Sequence, residues 1–203
     1  MSDIAYNAMA ISFRESGVTR EKRPYPFDTG WRTLLLSVME RARDGRWYIE
    51  NASTEAVMVP RGWTFVVPCG LPHRLTKPDR GVMTTRWTHV RYELAPGIDL
   101  LSGLTRPVLV PPKDGDRIFA LLDRLKRLRD TLLHTISHQR MGLEILELIL
   151  AHSREQPSGR LAPGFDRIYP AITYMQEHLS EPLTRSQLAG MLSLSSTRFH
   201  YVF

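Results

Sequence analysis

Short runs of apolar or alternating residues fill the chain between residues 31 and about 94, separated by glycine, proline, aspartate and asparagine. The runs are LLLSVM, RWYIE, AVMVP, WTFVV and RWTHVRYEL. They are rich in β-branched and aromatic residues, and runs of this length bounded by turn residues are typical of antiparallel β-sandwiches and barrels. The pattern predicts that residues 1–112 are mostly β-structure.

The period changes at Asp116, where apolar residues begin to recur every three or four positions. They form a heptad-like stripe with arginine, lysine and aspartate between them: Ile118, Leu121, Leu125, Leu128 and Leu132. Such a stripe predicts an amphipathic helix that pairs with a copy of itself. A second helix, apolar nearly all round, is expected from about residue 137 to residue 152. Residues 113–152 therefore predict a helical dimerisation hairpin.

The segment SREQPSGRLAPG, residues 153–164, has no apolar period and predicts a linker. After it, apolar residues three or four apart predict a helix with Pro170 in its first turn. Thr184 is expected to cap another helix, which ends near residue 192 and has Gln187 at the capping-box position. Ser195 is expected to cap one more helix about three residues later. Residues 165–203 thus predict a helix, a tight turn and a helix.

In a helix-turn-helix, the second helix lies in the major groove and presents polar residues to base edges. The caps and the polar positions of the last helix predict a DNA-contacting surface, formed by Thr184, Ser195, Ser196, Thr197, Arg198, His200 and Tyr201. An ordinary helical packing unit with the same spacing stays open as the alternative.

Composition narrows these predictions. The 203 residues, 42% hydrophobic and 24% charged, are typical of a packed globular chain with room for two modules. The net charge of +6 favours a polyanionic partner, but residues 160–203 contain only four arginines against three acidic residues, so the DNA interpretation depends on pattern. No leader-like or membrane-spanning run is present, so a cytoplasmic protein without membrane contact is expected. The single cysteine, Cys69, excludes an intrachain disulfide and a Cys-based zinc site.

The C-terminal segment resembles the first helix-turn-helix of the AraC (arabinose-regulator) family of bacterial transcription regulators. The residues in register are Leu183, Thr184, Leu188, Ala189, Leu194, Ser195 and Phe203, with Tyr174 and Met175 in the helix before them. Two positions depart from the family pattern: Ser193 replaces the usual turn glycine, and Tyr201 replaces a usual arginine. The family's DNA-binding domain contains two such motifs. The resemblance therefore implies that residues 165–203 are a partial DNA-binding domain and that DNA is bound through a complete one. This 203-residue chain by itself is expected to bind DNA weakly or not at all.

Upstream, Gly62, Pro68, Gly70 and His73 fit the second cupin motif up to its final asparagine, where Lys77 stands. In metal cupins this histidine is one of three or four ligands, whereas residues 31–55 contain no histidine. Cys69, four residues before His73, has no visible orienting group or oxyanion device for nucleophilic catalysis. We therefore expect no catalytic residue, no metal and no cofactor, and His73 either lines the interior or contacts an effector.

Together the two resemblances imply an α+β chain with an N-terminal cupin-like antiparallel β-barrel, a helical dimerisation hairpin and a C-terminal partial helix-turn-helix. A small effector, a sugar or an aromatic molecule, is expected to contact His73, Trp47, Trp63, Trp87 and Arg74, although tryptophans are often core residues. An N-terminal arm, residues 1–25, is expected to contribute contacts.

The predicted function is that of a homodimeric, ligand-responsive, sequence-specific DNA-binding regulator that is not an enzyme. Two alternatives stay open. One is a metal-dependent cupin enzyme, and the other is a stand-alone sensor or dimerisation module without DNA binding.

Overall fold

The computed structural model describes residues 9–21, 27–43, 46–51, 54–77, 83–95, 98–129, 131–154 and 165–202. The chain divides into two compact units. The described residues of the N-terminal unit are 9–154, and those of the C-terminal unit are 165–202. With antiparallel sheets in the first unit and helices in both, the chain is α+β, and the predicted class is confirmed.

Two antiparallel sheets form the N-terminal unit. Its strands are β1 (Ala10–Glu21), β2 (Phe27–Asp28), β3 (Ser37–Ala42), β4 (Trp47–Asn51), β5 (Thr54–Val59), β6 (Thr64–Val67), β7 (His73–Lys77), β8 (Met83–Ala95), β9 (Ile98–Asp99) and β10 (Val108–Val110). The larger sheet has the order β1-β8-β3-β6-β10, with β9 paired to β8, and the smaller sheet has the order β2-β7-β4-β5. A short 3₁₀ helix, Leu100–Gly103, follows β9.

The apolar core lies between the two sheets. Trp47 and Ile49 of β4 are buried together with Phe65 and Val67 of β6. Along β4, buried residues alternate with half-buried ones, as expected for a strand with one face on a core. The rings of Trp47 and Phe65 meet edge to face with their centroids 6.5 Å apart. Aromatic packing of this kind holds the smaller sheet against the larger one.

Two helices cover the opposite face of the larger sheet: α1 (Pro112–Leu125) and α2 (Leu132–Ala151). The Tyr92 hydroxyl on β8 donates a hydrogen bond of 3.1 Å to the carbonyl oxygen of Gly142 in α2. Arg41 on β3 pairs with Asp116 in α1. The helices and the strands therefore share one compact unit. Within the described part of the chain, no helix is long and apolar enough to cross a membrane.

The helix bounds differ from those predicted. The stripe that was expected to form one helix is interrupted, because α1 ends at Leu125, Leu128 lies between the helices, and Leu132 begins α2. Ile118 is 0% exposed and Leu121 is 4% exposed. These two side chains are buried within the chain itself and are not free to meet a second copy. A heptad stripe shows which face of a helix is covered, but it does not show whether the same chain or a second copy covers it.

The predicted N-terminal arm also differs. Residues 10–21 form strand β1, which pairs with β8 from Ala10 opposite Glu93 to Glu21 opposite Met83, with one irregularity between Phe13 and Ser16. Backbone hydrogen bonding thus makes this segment part of the larger sheet. Residues 1–8 and 22–26 of the predicted arm lie outside the described residues.

Three helices form the described part of the C-terminal unit: α3 (Phe165–Glu177), α4 (Arg185–Met191) and α5 (Ser196–Val202). Their buried core consists of Ala171, Leu188, Ala189 and Phe199. Pro170 lies inside α3, since the helix begins at Phe165, and not in the first turn as predicted. Most of the predicted linker, residues 155–164, lies outside the described residues.

Gly142 tests the contact between α2 and the larger sheet. A Cβ atom at this position would lie 2.8 Å from Cγ2 and 2.9 Å from Cδ1 of Ile11 on β1. Gly142→Val should therefore lower the free energy of unfolding by about 1–3 kcal/mol, because overpacking outweighs the better helix propensity of valine. Ala151→Val, at an exposed position of the same helix, is the control and should cost a few tenths of a kcal/mol. Equal stability of the two variants in urea unfolding would contradict the described contact.

Candidate functional site

A cavity of about 250 Å³ lies between the two sheets. Its lining comes from both sheets and is mostly apolar or aromatic, with a few polar side chains: Thr19, Phe27, Thr29, Arg32, Val38, Glu40, Trp47, Leu75, Met83, Thr85, Trp87 and His89. This combination is typical of small-molecule sites, and the volume suits a ligand smaller than a typical drug molecule.

Strand β8 supplies one wall of the cavity because its side chains alternate between two faces. Thr85, Trp87 and His89 line the cavity. Between them, Arg86 points toward the helices, where it pairs with Asp123 at 2.6 Å and lies 4.8 Å from the ring centre of Phe119. The same strand therefore borders the cavity on one face and carries the helices on the other.

Glu40 is the buried acid of the cavity. Its side chain comes from β3, is 8% exposed, and accepts a hydrogen bond from the Thr85 hydroxyl. Burial raises the pKa of the Glu40 carboxyl to about 7, while the Thr85 hydrogen bond and the charge of Arg32 act in the opposite direction. The carboxyl group thus changes charge near neutral pH.

Arg32 is the cation that faces Glu40, and it is held in place by His73. The Arg32 Nε donates to the Nε2 of His73 at 3.2 Å, and the Nδ1 of His73 donates to the carbonyl oxygen of Leu71 at 2.8 Å. Burial lowers the pKa of Arg32, and the charge of Glu40 opposes that change. Burial also lowers the pKa of His73, so the imidazole is neutral and accepts from the guanidinium.

His73 does not fit the role of a metal ligand, because both ring nitrogens are already hydrogen-bonded within the protein. Among the described residues, no three His, Cys, Asp or Glu side chains lie close enough together to hold a metal ion. His73 is 1% exposed and acts on the cavity through Arg32.

The predicted tryptophans fall in different places. Trp47 and Trp87 line the cavity. The Trp87 Nε1 donates to the Thr19 hydroxyl at 2.9 Å, and its ring lies over Gly17, where an added Cβ atom would be 2.9 Å away. Trp63 lines a separate cavity, of about 440 Å³, near the end of α2.

Arg74 lies outside the cavity. It pairs with Asp28, and hydrogen bonding from Arg74 lowers the pKa of the Asp28 carboxyl to about 2. It also lies 3.9 Å from Glu50. Of the five predicted effector residues, the structure brings Trp47 and Trp87 to the cavity and His73 directly behind it.

Sequence reasoning missed Glu40 and Arg32. A usable signal was present for Glu40, since it is two residues from Val38 on a strand whose alternate positions face the core. Arg32 carried no such signal. It lies just before β3, and only an isolated backbone bridge to His73 brings it to the cavity.

Cys69 is not an activated nucleophile. Its thiol is buried, and burial together with the nearby Asp99 raises the pKa of the thiol to about 12. The thiolate form that attacks electrophiles is therefore scarce at neutral pH.

The second candidate site is the corner between α4 and α5. The Thr184 hydroxyl accepts from the backbone nitrogen of Gln187 at 3.2 Å, as its predicted capping role requires. The Gln187 side chain donates to the Tyr174 hydroxyl at 3.0 Å, which ties α4 to α3. The Ser195 hydroxyl accepts from the backbone nitrogen of Arg198 at 3.1 Å and caps α5.

Ser193 forms the turn at this corner with a φ of +54°, in the left-handed region that favours glycine. Just after it, the backbone nitrogen of Leu194 bonds to the carbonyl oxygen of Ala189 at 2.9 Å. Packing of Leu188 against Phe199 holds the corner closed. The usual glycine is thus replaced by a strained serine, without loss of the turn.

The predicted DNA-contacting residues lie on the outside of this corner. Phe199 is buried, and the polar residues around it are exposed: Thr184, Ser195, Ser196, Thr197, Arg198 and His200. Tyr201 lies in α5, and its side chain is outside the described residues.

The fold of this chain is similar to that of ToxT from Vibrio cholerae. One ToxT structure matches 94% of this chain and 74% of its own, with a TM-score of 0.51 and 9% sequence identity. A second, bound to (E)-4-(8-methylnaphthalen-1-yl)but-3-enoic acid, matches 94% and 75%, with a TM-score of 0.51 and 8% identity. This chain has the fold of ToxT. At such identities the likeness shows the fold alone.

The AraC-like transcriptional activator CuxR matches 97% of this chain and 75% of its own, with a TM-score of 0.49 and 16% identity. No protein-family model matches the sequence, and no curated protein matches it either. A cupin domain from Bordetella pertussis matches 41% of this chain and 93% of its own, with a TM-score of 0.31 and 16% identity.

Glu40 makes the stability of this chain depend on pH. Above its folded pKa of about 7 the buried carboxyl is charged, whereas below the ordinary value of 4.5 it is neutral in both the folded and the unfolded state. The folded state therefore binds the extra proton between these values, and stability falls as pH rises through that window. Glu40→Gln removes this cost.

Urea unfolding should show Glu40→Gln gaining about 2 kcal/mol relative to wild type between pH 5 and pH 8, because a tenfold change in ionisation constant is worth ~1.4 kcal/mol. Glu50→Gln, which removes a carboxyl outside the cavity, is the control for the loss of one negative charge. A difference between Glu40→Gln and wild type that does not change with pH would contradict the described burial.

Proposed function

We propose that the chain is a ligand-responsive, sequence-specific DNA-binding regulator of the AraC type, with its effector in the cavity between the sheets. The observation that carries this proposal is the corner of α4 and α5, where a buried Phe199 leaves Ser196, Thr197 and Arg198 exposed side by side. Such an arrangement suits insertion of α5 into a DNA groove.

The effector part of the proposal rests on the cavity. It combines aromatic walls with a buried acid and a facing cation, and a mostly apolar cavity with a few convergent polar groups is typical of a ligand site. ToxT, which shares the fold, has been solved with a small organic acid bound. The engaged nitrogens of His73 favour a binding site over a metal-dependent enzyme.

The homodimer is proposed to form through the beginning of α2, in place of the predicted stripe on α1. Leu132, Leu133 and Ile136 are 79%, 69% and 59% exposed. Large apolar side chains so close together on one exposed helical turn are typical of an interaction surface. A second copy of the chain would cover them with the same residues, as in an isologous interface.

Arg198 tests DNA recognition. Duplexes selected from a random pool by the purified chain should share a motif. Arg198→Ala should bind the selected duplex about five- to hundredfold more weakly in fluorescence anisotropy at low salt, the range expected for one arginine that contacts a base. Arg127→Ala, which removes an exposed arginine between α1 and α2, is the matched control and should bind like wild type. A single helix-turn-helix is expected to bind weakly, so the selection is carried out at low salt, where phosphate contacts contribute most. Failure to enrich any motif under these conditions would overturn the proposed function.

Ile136 tests the dimer. Ile136→Glu places a charge among the exposed apolar side chains and should convert a dimer into a monomer in sedimentation velocity at tens of micromolar protein. Leu35→Glu changes a leucine of the same unit that is 82% exposed, and it should leave the dimer intact. A wild-type chain that is monomeric at this concentration would remove the dimer from the proposal.

A further inference from the structure

The cavity presents one acid and one base to any ligand that enters it. Glu40 and Arg32 both line it, so a ligand that fills the cavity can contact both groups. With Glu40 ionised the pair has no net charge. A ligand with a net charge would therefore gain from one member of the pair and be repelled by the other.

Both groups keep hydrogen-bonding capacity for a ligand. The Glu40 carboxylate, which has about four acceptor positions, takes a bond from Thr85. Arg32 uses its Nε on His73, so its two terminal nitrogens are not committed to that bond.

A hydroxyl group satisfies both sides with one atom, because its oxygen donates to Glu40 and accepts from Arg32. A carboxylate would accept from Arg32 but face the charge of Glu40, and an ammonium group would donate to Glu40 but face the charge of Arg32. The rest of the lining limits how many hydroxyls are useful. Phe27, Leu75, Met83 and Trp87 offer mainly apolar surface, on which a polyol would lose hydration without gaining hydrogen bonds.

We propose that the effector is a small uncharged aromatic molecule with a hydroxyl group, an aromatic alcohol or a phenol, whose hydroxyl lies between Glu40 and Arg32 and whose ring packs between Trp47 and Trp87. This inference rests on the proposed effector cavity and narrows the effector to one chemical class.

Three probes with the same ring test the charge preference: 2-phenylethanol, 2-phenylethylamine and phenylacetate. Their binding to the full chain is measured at pH 8 by calorimetry and by tryptophan fluorescence, with glucose and arabinose as polyol probes. The alcohol is expected to bind at least about tenfold more tightly than the other four. The class is overturned if none of the five binds, if a charged probe binds as tightly as the alcohol, or if a sugar binds more tightly.

Two substitutions should change the preference of the cavity from an uncharged probe to a charged one. Glu40→Gln leaves Arg32 unopposed, so phenylacetate should gain at least about tenfold in affinity, and Arg32→Gln should do the same for 2-phenylethylamine. The matched controls are Glu50→Gln and Arg74→Gln, which change the same residue types in a pair outside the cavity and should alter no affinity. If circular dichroism shows that Arg32→Gln does not fold, the ligand class is still tested by Glu40→Gln and by the binding of the five probes to the wild-type chain.

Failure here and failure of the regulator function are separate outcomes. Enrichment of a DNA motif without preference for the alcohol overturns the ligand class and leaves the regulator. Preference for the alcohol without any DNA motif leaves the cavity assignment and overturns the regulator.

Discussion

The two-sided packing of strand β8 is the constraint on which the N-terminal unit depends. One face of this strand meets the apolar space between the sheets, and the other face meets helices α1 and α2. Because the two faces meet different surroundings, a slip in register by one residue would move Arg86 into the cavity and Trp87 under the helices. Sheet register, cavity lining and helix packing are therefore fixed by the same pairing with β1 and β3.

Placing a carboxyl and a guanidinium together in such a space has an energetic cost, since both lose hydration. His73 reduces the conformational freedom of Arg32 by accepting a hydrogen bond from it. Thr85 reduces that of Glu40 by donating a hydrogen bond to its carboxylate. The charged groups are thereby held in position before any ligand arrives, which lowers the ordering that binding requires. The histidine of the cupin-like motif has a supporting role in this arrangement and needs no metal to account for its burial.

Much of the architecture was predictable from local pattern. The switch from short β-runs to a helical period near residue 116, the caps at Thr184 and Ser195, and the tight corner after α4 all follow from rules that act over a few residues. What the sequence could not show was which surface covers each apolar stripe. Ile118 looked like a dimer contact and is packed inside its own unit, whereas Leu132 looked like the end of that stripe and is exposed. Arg32 was not predicted for a related reason, because only a long-range backbone bridge to β7 brings it to the cavity.

Gly17 has a consequence for how the cavity could be resized during evolution. It lies behind the indole of Trp87, on the edge strand, and its missing side chain leaves room that the ring occupies. Any larger residue there would press the ring inward and shrink the accessible space without replacing a lining residue. The size of the cavity thus depends on position 17, which is not itself part of the lining. Homologous chains with a larger residue at this position would admit only smaller ligands.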